Sequence, residues 1–300
     1  MPCDLYQLKT FFVLARAGSF TEAARKLFVT QPAVSHSLKK LEAGLGCELV
    51  VKRGPGFALT ENGRLLSAAC EDIFYLLDKT EETIRRNNRE YLGAVRLGAT
   101  VEFGTSVLVK NMKSFLARNG NIRIDFRFSH ELLPLLLSDE LDIMIDCRDH
   151  AHPRVVREAL FREQYVVVGK PDYIARAKVV KPKDLDRARV LSMDEEGAWW
   201  DRFLQAVPED ERPRLEDLTT VNHIRGMINA ALEGMGIALV PKYCVPGELR
   251  SDRLKHLFPK IAVHEDQFYI YQKAKKSGLE THRILVDYLK SIKPAEFGEA

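Results

Sequence analysis

The segment from residue 19 to residue 41 constrains the fold of this chain more than any other part of the sequence. Ser19 stands three residues before Glu22, which is the spacing of a capping box at the start of a short helix. After a brief turn, Thr30 is placed to cap a second helix, and Pro32 falls early in that helix, where its missing N–H costs nothing. The apolar residues that would face inward are Ala23, Ala24 and Leu27 in the first helix and Val34, Leu38 and Leu41 in the second. Two short helices that can cross closely over alanines predict a helix-turn-helix.

A third helix precedes this pair and a hairpin follows it. Apolar residues recur at steps of three and four between residues 5 and 15, and Gly18 is placed to end that helix. Residues 49–53 and 57–59 have the pattern of two short strands joined by a Gly-Pro-Gly turn, which puts Lys52 and Arg53 at the tip. A basic hairpin beside a helix-turn-helix is a wing. Residues 1–59 are therefore predicted to form a winged helix-turn-helix domain.

The outward face of the second helix has the chemistry that a DNA major groove requires. No acidic residue occurs between Thr30 and Leu41. Glutamine and serine side chains can read base edges, lysines can neutralise phosphates, and a helix N-terminus offers free N–H groups to a phosphate. A polar face that merely meets water is the alternative, and the spacing of the two helices together with the basic hairpin favours DNA. The predicted DNA-binding residues are Thr30, Gln31, Pro32, Ala33, Ser35, His36, Lys39, Lys52 and Arg53.

The distribution of charge agrees with this interpretation. Residues 1–60 hold eight lysines and arginines against four acidic residues, whereas the formal net charge of the 300-residue chain is only +3. A basic head on a nearly neutral body suggests a partner that is a polyanion. An excess of four charges over sixty residues is modest, so chance is the alternative on charge alone.

The first sixty residues resemble the LysR-type transcriptional regulators. The resemblance is carried by Ala17-Gly18-Ser19-Phe20-Thr21, Thr30-Gln31-Pro32-Ala33-Val34-Ser35, Leu41-Glu42, Leu45-Gly46 and Leu59-Thr60-x-x-Gly63. The family usually has phenylalanine at the place of Val50 and arginine at the places of Lys52 and His36. The resemblance implies sequence-specific DNA binding controlled by a small-molecule effector.

A long helix is predicted for residues 60–90. This stretch has no proline, its only glycine is Gly63, and apolar residues keep a spacing of three and four from Leu66 to Ile84. Thirty helical residues reach about 45 Å, farther than a sixty-residue domain. A second copy of the helix is the simplest partner for the apolar stripe, and the resemblance implies such a dimer. Packing on its own domain is the alternative.

The remaining residues, 91–300, have strands that alternate with helices, which predicts a parallel, doubly wound α/β body. The order of elements resembles the effector-binding region of LysR-type proteins, which is similar to periplasmic binding proteins. That resemblance implies two subdomains, the first at 91–160 and 265–300 and the second at 161–264. Gly234-Met235-Gly236-Ile237-Ala238-Leu239-Val240-Pro241 matches a late motif of the family.

Ligands of such folds bind beyond the carboxyl ends of the strands, in the cleft between the halves. Thr100 and Ser129 each follow a strand and are placed to begin a helix, so their hydroxyls and the adjacent N–H groups can hold a carboxylate. Plain helix capping is the alternative for each hydroxyl. Glu102 permits an amino group or hydroxyl on the ligand, and Arg148 is placed to offset it, so we expect a small polar metabolite such as an amino or organic acid. The predicted effector residues are Thr100, Val101, Glu102, Ser129, His130, Arg148, Ser192, Met193, Thr219, Thr220 and Asn222.

Other classes of protein find little support in the sequence. It has no nucleophile elbow, zinc-protease motif or phosphate-binding loop, and its five cysteines are scattered without a C-x-x-C pair. We expect no enzymatic activity, no metal and no other cofactor, and inert thiols at Cys147 and Cys244. No apolar run approaches the length that spans a bilayer, and no apolar signal core follows Met1, so a cytoplasmic location is expected.

The expected partners are double-stranded DNA, a small-molecule effector, further copies of the chain in a homodimer or homotetramer, and RNA polymerase. Two alternative functions remain. The chain could be a solute-binding or catalytic α/β protein with an accessory helical head, or a DNA-bridging protein without a responsive cleft. A regulator binds specific DNA, which the first alternative would not do. A regulator also responds to a ligand, which the second alternative would not do.

Overall fold

The computed structural model describes residues 4–54, 56–87, 93–263 and 266–293. Its N-terminal head has the predicted winged helix-turn-helix architecture. Apart from Leu27, which is partly buried, the inward residues of the two crossing helices are buried together with Phe11 and Leu14 of the first helix in one apolar cluster. The elements of the head are α1 (Leu5–Ala17), α2 (Phe20–Leu27), α3 (Gln31–Leu45), β1 (Val50–Arg53) and β2 (Gly56–Leu59). Pro55, the middle of the predicted turn, lies outside the described residues.

The helix caps of the head agree with those predicted from the sequence, except at the start of α2. Gly18 ends α1 at a φ of 66°, and the Thr30 side chain accepts from the N–H of Ala33 at 3.4 Å. The predicted capping box of α2 forms only in part, since Ser19 accepts from the N–H of Glu22 while the Glu22 carboxylate pairs with Arg25 at 2.6 Å. The reciprocal box forms instead at α1, between Asp4 and Gln7.

A long helix, α4 (Glu61–Asn87), connects the head to the body. One side of α4 packs on the head through buried Cys70 and through Phe74, whose ring stacks on Phe12 with centroids 5.2 Å apart. The opposite side leaves Leu65 and Leu76 exposed, at 72% and 62%. The helix therefore packs on its own head, as the alternative interpretation expected, and its exposed apolar side leaves pairing with a second copy a prediction. Residues 88–90 of the predicted helix lie outside the described residues.

The body contains two sheets. The first has the order β4-β3-β5-β12-β6, in which β3 is parallel to β4 and β5 while β12 is antiparallel to β5 and β6. Its core is formed with the helices that cover it, including a π-helical turn at Gly104–Leu108. The elements in this part of the chain are β3 (Gly93–Ala99), α5 (Val101–Phe103), α6 (Val109–Arg118), β4 (Ile122–Phe128), α7 (Leu133–Leu137), β5 (Ile143–Asp146) and β6 (Val155–Glu163).

The second sheet has the order β11-β7-β10-β8-β9, with β10 parallel to β8 and antiparallel to β7. Its elements are β7 (Tyr165–Gly169), α8 (Pro171–Ala177), β8 (Val190–Ser192), α9 (Asp201–Ala206), β9 (Leu218–Thr220), α10 (Ile224–Leu232), β10 (Ile237–Pro241), α11 (Pro246–Arg250) and β11 (Lys255–Leu257). The chain then returns to the first sheet through β12 (Asp266–Lys273), and the last helix of the described residues is α12 (Glu280–Ser291).

The prediction of a parallel sheet is confirmed for β4-β3-β5 and for β10-β8-β9 and is wrong for the remaining strands, because the chain crosses between the sheets twice and each crossing brings in an antiparallel strand. The strand β6 continues to Glu163, three residues beyond the subdomain boundary that the sequence suggested, so the division at 160 remains a proposal. The helix that Ser129 was expected to begin starts only at Leu133. No helix among the described residues combines the length and apolar character needed to cross a membrane.

The head and body of this structure meet through charged side chains. Arg16 of α1 pairs with Glu71 of α4 at 2.8 Å and with Asp139 in the turn after α7. Lys275, which follows β12, pairs with Asp72 of α4 at 2.6 Å. These ion pairs couple the orientation of the head to the first sheet of the body.

Candidate DNA-binding surface and effector cleft

The outward face of α3 is free of contacts that would cover it in this structure. Val34, Leu38 and Leu41 hold the helix against the head core, and this orientation turns the opposite face to solvent. Thr30, Gln31, Pro32, Ala33, His36 and Lys39 are exposed, and Ser35 is half-buried. The structure thus brings all seven predicted α3 residues to one surface.

The wing lies beside this surface and is fixed to the end of α3. Lys52 pairs with Phe57 and Arg53 with Gly56 in the antiparallel register, so both cations stand exposed at the tip. The Glu42 carboxylate of α3 accepts from the N–H of Leu49 at 2.7 Å and of Val50 at 3.4 Å. Sequence reasoning missed this role of Glu42, because a carboxylate seven residues before a strand gives no local signal that it will bind the strand.

Phe28 is a feature of the head that the sequence did not single out. It occupies the turn between α2 and α3 with a φ of 57°, in the left-handed region, and its side chain is 96% exposed. An aromatic ring in that position stands next to the start of α3 and is available to a partner of the head.

The strand ends of the first sheet bring two predicted cleft positions together. The N–H of Ser129 donates to the carbonyl of Ala99 at 3.1 Å, and the N–H of Thr100 donates to the carbonyl of Ile145 at 3.3 Å. Thr100 caps α5 without a side-chain hydrogen bond, so its hydroxyl is available to a ligand. The Ser129 hydroxyl instead accepts from the N–H of Glu131 at 3.0 Å and begins a turn rather than a helix.

The strand ends of the second sheet hold the other predicted cleft positions. Ser192 pairs with Thr220 in the parallel register, and the N–H of Val221 donates to the Ser192 carbonyl at 2.8 Å. Ser192 is buried, Met193 and Thr219 are half-buried, and Thr220 and Asn222 are exposed. These positions therefore share one sheet edge but differ in their access to a ligand.

An apolar lining joins the two edges. Partly buried side chains from both sheets pack against the same core cluster, namely Phe128, Cys147, Met193, Trp199 and Val221. The Trp199 indole donates to the Leu239 carbonyl at 2.8 Å, whereas Trp200 is fully buried. Sequence reasoning did not place Phe128 and Val221 in the cleft, because an apolar residue at a strand end has the same pattern as a core residue.

One electrostatic expectation for the cleft was wrong. Arg148 does not lie against Glu102, since its guanidinium pairs with the buried carboxylate of Asp146 at 3.2 Å and also donates to the His130 carbonyl. The residue opposite Glu102 is His223 of the second sheet, with its Nε2 3.9 Å from the carboxylate. His130 and Arg148 are exposed at the rim.

A buried carboxyl group lies where the chain crosses between the sheets. Burial raises the pKa of Glu163 to about 7, although the hydroxyls of Tyr165 and Tyr243 both donate to it and so favour its charged form. Burial also raises the pKa of the Cys244 thiol to about 12 and that of Cys147 still further. Thiols with raised pKa values are poor nucleophiles, which supports the expectation that both are inert.

Comparison with known proteins covers both parts of the chain. The family described as "Bacterial regulatory helix-turn-helix protein, lysR family" matches residues 5–64, and "LysR substrate binding domain" matches residues 88–292. The glycine cleavage system transcriptional activator of Escherichia coli is 29% identical over 267 residues, which cover 89% of this chain and 86% of that protein. The transcriptional activator CmpR of Synechocystis is 25% identical over 295 residues, covering 95% and 94% of the two chains.

Solved structures show the same fold over nearly the whole chain. ArgP from Mycobacterium tuberculosis has a TM-score of 0.68 at 17% identity, covering 98% of this chain and 97% of its own. Full-length LysG from Corynebacterium glutamicum with bound effector Arg has a TM-score of 0.65 at 20% identity, covering 96% of each chain. With the head, the connecting helix and the two-sheet body all matched in order, the chain belongs to the LysR family of transcriptional regulators, which bind DNA through the head and a small-molecule effector through the body.

Proposed function

We propose that this regulator reads its operator with the outward face of α3. Gln31 and Ser35 contact base edges in the major groove, His36 contacts a base or a phosphate, and Lys39 neutralises a phosphate. Lys52 and Arg53 hold the sugar–phosphate backbone from the wing. The observation that carries this proposal is the exposed α3 face, which has no acidic residue from position 30 to position 41.

We further propose that two copies of the chain pair through α4. The exposed side of that helix carries Leu65, Leu76 and Ile84, a row of apolar side chains that needs a cover. Pairing would place two α3 helices in successive major grooves, about 34 Å apart, on an inverted repeat. Two such dimers would give a homotetramer, the other assembly that the sequence left open.

The body would bind its effector between the strand ends of the two sheets, with Thr100 offering a hydroxyl and the lining residues packing on the ligand. We propose a small polar metabolite, an amino or organic acid. The structure of one relative, LysG, carries Arg as its bound effector. Binding would change the relative populations of two subdomain arrangements and so the spacing of the heads on DNA.

RNA polymerase is a further proposed partner, because a regulator bound beside a promoter acts on the enzyme that transcribes from it. The regulator would work in the cytoplasm, where bacterial DNA is accessible. A solute carrier or an enzyme with an accessory head would bind the upstream DNA no better than random DNA.

A gel-shift titration with the DNA upstream of this chain's own gene tests the proposal. We expect Gln31→Ala to reduce the ratio of operator affinity to random-DNA affinity, while Gln205→Ala, an exposed glutamine of α9, leaves that ratio unchanged. Equal loss of affinity on both DNAs would remove Gln31 from the base-reading set. Failure of the unmodified protein to prefer any upstream fragment would contradict the function itself.

A further inference from the structure

A cavity of about 600 Å³ lies where the head, the long helix α4 and the body meet. One wall comes from α1 and β2, the second from α4, and the third from α7 and the segment just before β6. The cavity is separate from both surfaces described above, because none of the predicted DNA-binding residues and none of the predicted effector residues lines it. Its size suits a small molecule rather than a duplex.

Apolar side chains from the head and from the body line part of this cavity. Phe12 and Ala15 of α1 and Leu59 of β2 come from the head, while Pro134 and Leu137 of α7 come from the body. All of them except Pro134 are half-buried. A ligand that covered them would therefore remove apolar surface from water.

The charged side chains of the lining do not balance. Arg16, Arg64 and Arg154 are cationic, and Glu71 is the one carboxylate among the described residues that line the cavity. The Glu71 carboxylate is already paired with Arg16 at 2.8 Å. Arg64 donates to the Leu59 carbonyl at 2.9 Å, and in the described part of the chain no carboxylate pairs with Arg64 or with Arg154. The lining therefore has two cations without a counter-ion.

The positive charge of Arg154 also acts on its neighbours. Burial lowers the pKa of the Arg16 guanidinium, Glu71 opposes that shift, and Arg154 adds to it. Burial likewise lowers the pKa of Lys273 to about 6, and the charges of Arg16, Lys276 and Arg154 add to the shift. Cations that repel one another in a partly desolvated junction are stabilised by an anion that enters it.

We propose that this cavity binds an organic phosphate monoester, with its phosphate on Arg64 and Arg154 and its organic group on the apolar lining. A phosphate monoester carries up to two negative charges near neutral pH, which match the two cations that lack a counter-ion. Guanidinium groups form paired hydrogen bonds with phosphate oxygens. The half-buried hydroxyl of Ser67, in the same lining, is a further donor.

The regulatory consequence rests on the proposed function, whereas the binding itself does not. Arg64 belongs to α4 and Arg154 to the body, so a phosphate held by both joins these two parts of the chain. The ion pair of Arg16 with Asp139 already couples the head to the body at this junction. A ligand across the junction stabilises one arrangement of head and body and would change the affinity for operator DNA.

Calorimetric titration of the full-length chain with phenyl phosphate at pH 8 tests the proposal, with two matched probes. Phenyl sulfate has nearly the same shape but carries a single negative charge, and inorganic phosphate lacks the organic group. We expect each of these probes to bind at least tenfold more weakly than phenyl phosphate, because each lacks one of the two features that the cavity recognises.

Substitutions locate the binding in this cavity. We expect Arg64→Gln and Arg154→Gln each to weaken the binding of phenyl phosphate at least tenfold. Arg118→Gln, at an exposed arginine of α6, is the matched control and should bind phenyl phosphate as the unmodified chain does. Circular dichroism identifies a variant that has not folded, and the other variant then supplies the result.

No binding of phenyl phosphate, equal binding of phenyl sulfate, or retained affinity in every folded variant would overturn the proposal. So would a shallower salt dependence of DNA binding in Arg154→Gln, because Arg154 would then be a phosphate contact of the duplex. A gel shift in the same samples separates the two hypotheses. Operator preference without binding of phenyl phosphate contradicts only the phosphate site, and binding of phenyl phosphate without operator preference contradicts only the regulator.

Discussion

The hydroxyl of Tyr243 donates to the carboxylate of Glu163 at a distance of 2.6 Å, and this contact joins the passage between the two sheets of the body to the end of β10. Tyr165 donates to the same carboxylate and also lies 3.1 Å from Asp266, where the chain passes back to the first sheet. Glu163 is only 3% exposed. Both connections between the sheets are therefore tied to one buried carboxyl group, the second of them through Tyr165.

The first prediction concerns the pH dependence of stability. Burial raises the pKa of Glu163 from 4.5 to about 7, so the folded state favours the protonated form. This contribution is fully present below pH 4.5 and is lost as pH rises through 7, at most on the order of 3 kcal/mol. In urea unfolding from pH 5 to pH 8 we expect the free energy of unfolding to fall more steeply for the unmodified chain than for Glu163→Gln. Glu158→Gln, at a half-exposed carboxylate paired with Lys290, should keep the steep fall, and parallel curves for all three proteins would contradict the prediction.

The second prediction concerns phosphate contacts. Replacing Lys39 by alanine should reduce the slope of log affinity against log salt by about one, because one fewer counter-ion is released on binding. Operator and random DNA should be affected alike. Lys255→Ala, an exposed lysine on β11, is the control, and a slope for Lys39→Ala equal to that of the control would remove Lys39 from the contacts.

The third prediction concerns the exposed side of α4. Leu76→Lys places a charge among the apolar side chains proposed to meet in the dimer, and sedimentation should show at least tenfold weaker self-association. Val180→Lys changes an exposed apolar residue of the body in the same way and should leave assembly unchanged. An unaltered sedimentation profile for Leu76→Lys would mean that α4 is not the dimer contact.

The fourth prediction concerns the attachment of α4 to the body. The Glu82 carboxylate of α4 accepts from the N–H of Glu280 at 2.8 Å and from the Thr281 hydroxyl at 2.5 Å, so it caps α12 from another element. Glu82→Ala should destabilise the chain by about 1 kcal/mol, as expected for loss of a helix cap. Glu81→Ala, whose carboxylate lies 3.8 Å from Arg85, should change the unfolding midpoint much less. Equal midpoints for the two variants would exclude a capping role.

The fifth prediction concerns the close approach of α4 to the wing. A Cβ at Gly63 would lie 2.0 Å from the Leu49 carbonyl oxygen, a backbone atom that cannot move aside cheaply. Gly63→Ala should therefore destabilise the head by about 2 kcal/mol and weaken operator binding. Gly120→Ala meets no atom within 4 Å and is the control, so unchanged thermal stability of Gly63→Ala would contradict the packing argument.

The features that the sequence predicts well are those coded within a few neighbouring residues. The spacing of Val34, Leu38 and Leu41, the cap at Thr30 and the glycine at 18 each depend on local periodicity or local backbone conformation. The same local signals place the strand ends at Thr100 and Ser129, because a run of apolar residues followed by a polar one marks the point where a strand leaves the sheet.

The features that the sequence did not predict depend on residues far apart in the chain. Glu102 meets His223 instead of Arg148, and Glu163 meets Tyr243 eighty positions later, because the two crossings of the chain bring separate sheets together. The same two crossings make β12 run antiparallel to β5 in the first sheet.

By itself the sequence determined which short segments become helices and strands and which face of α3 is left polar, since both follow from side-chain spacing. Only the tertiary structure decided which polar groups are buried with Glu163 where the chain crosses between the sheets. The physical reason is that the energy of a buried charge depends on partners and solvent exclusion supplied by distant parts of the chain.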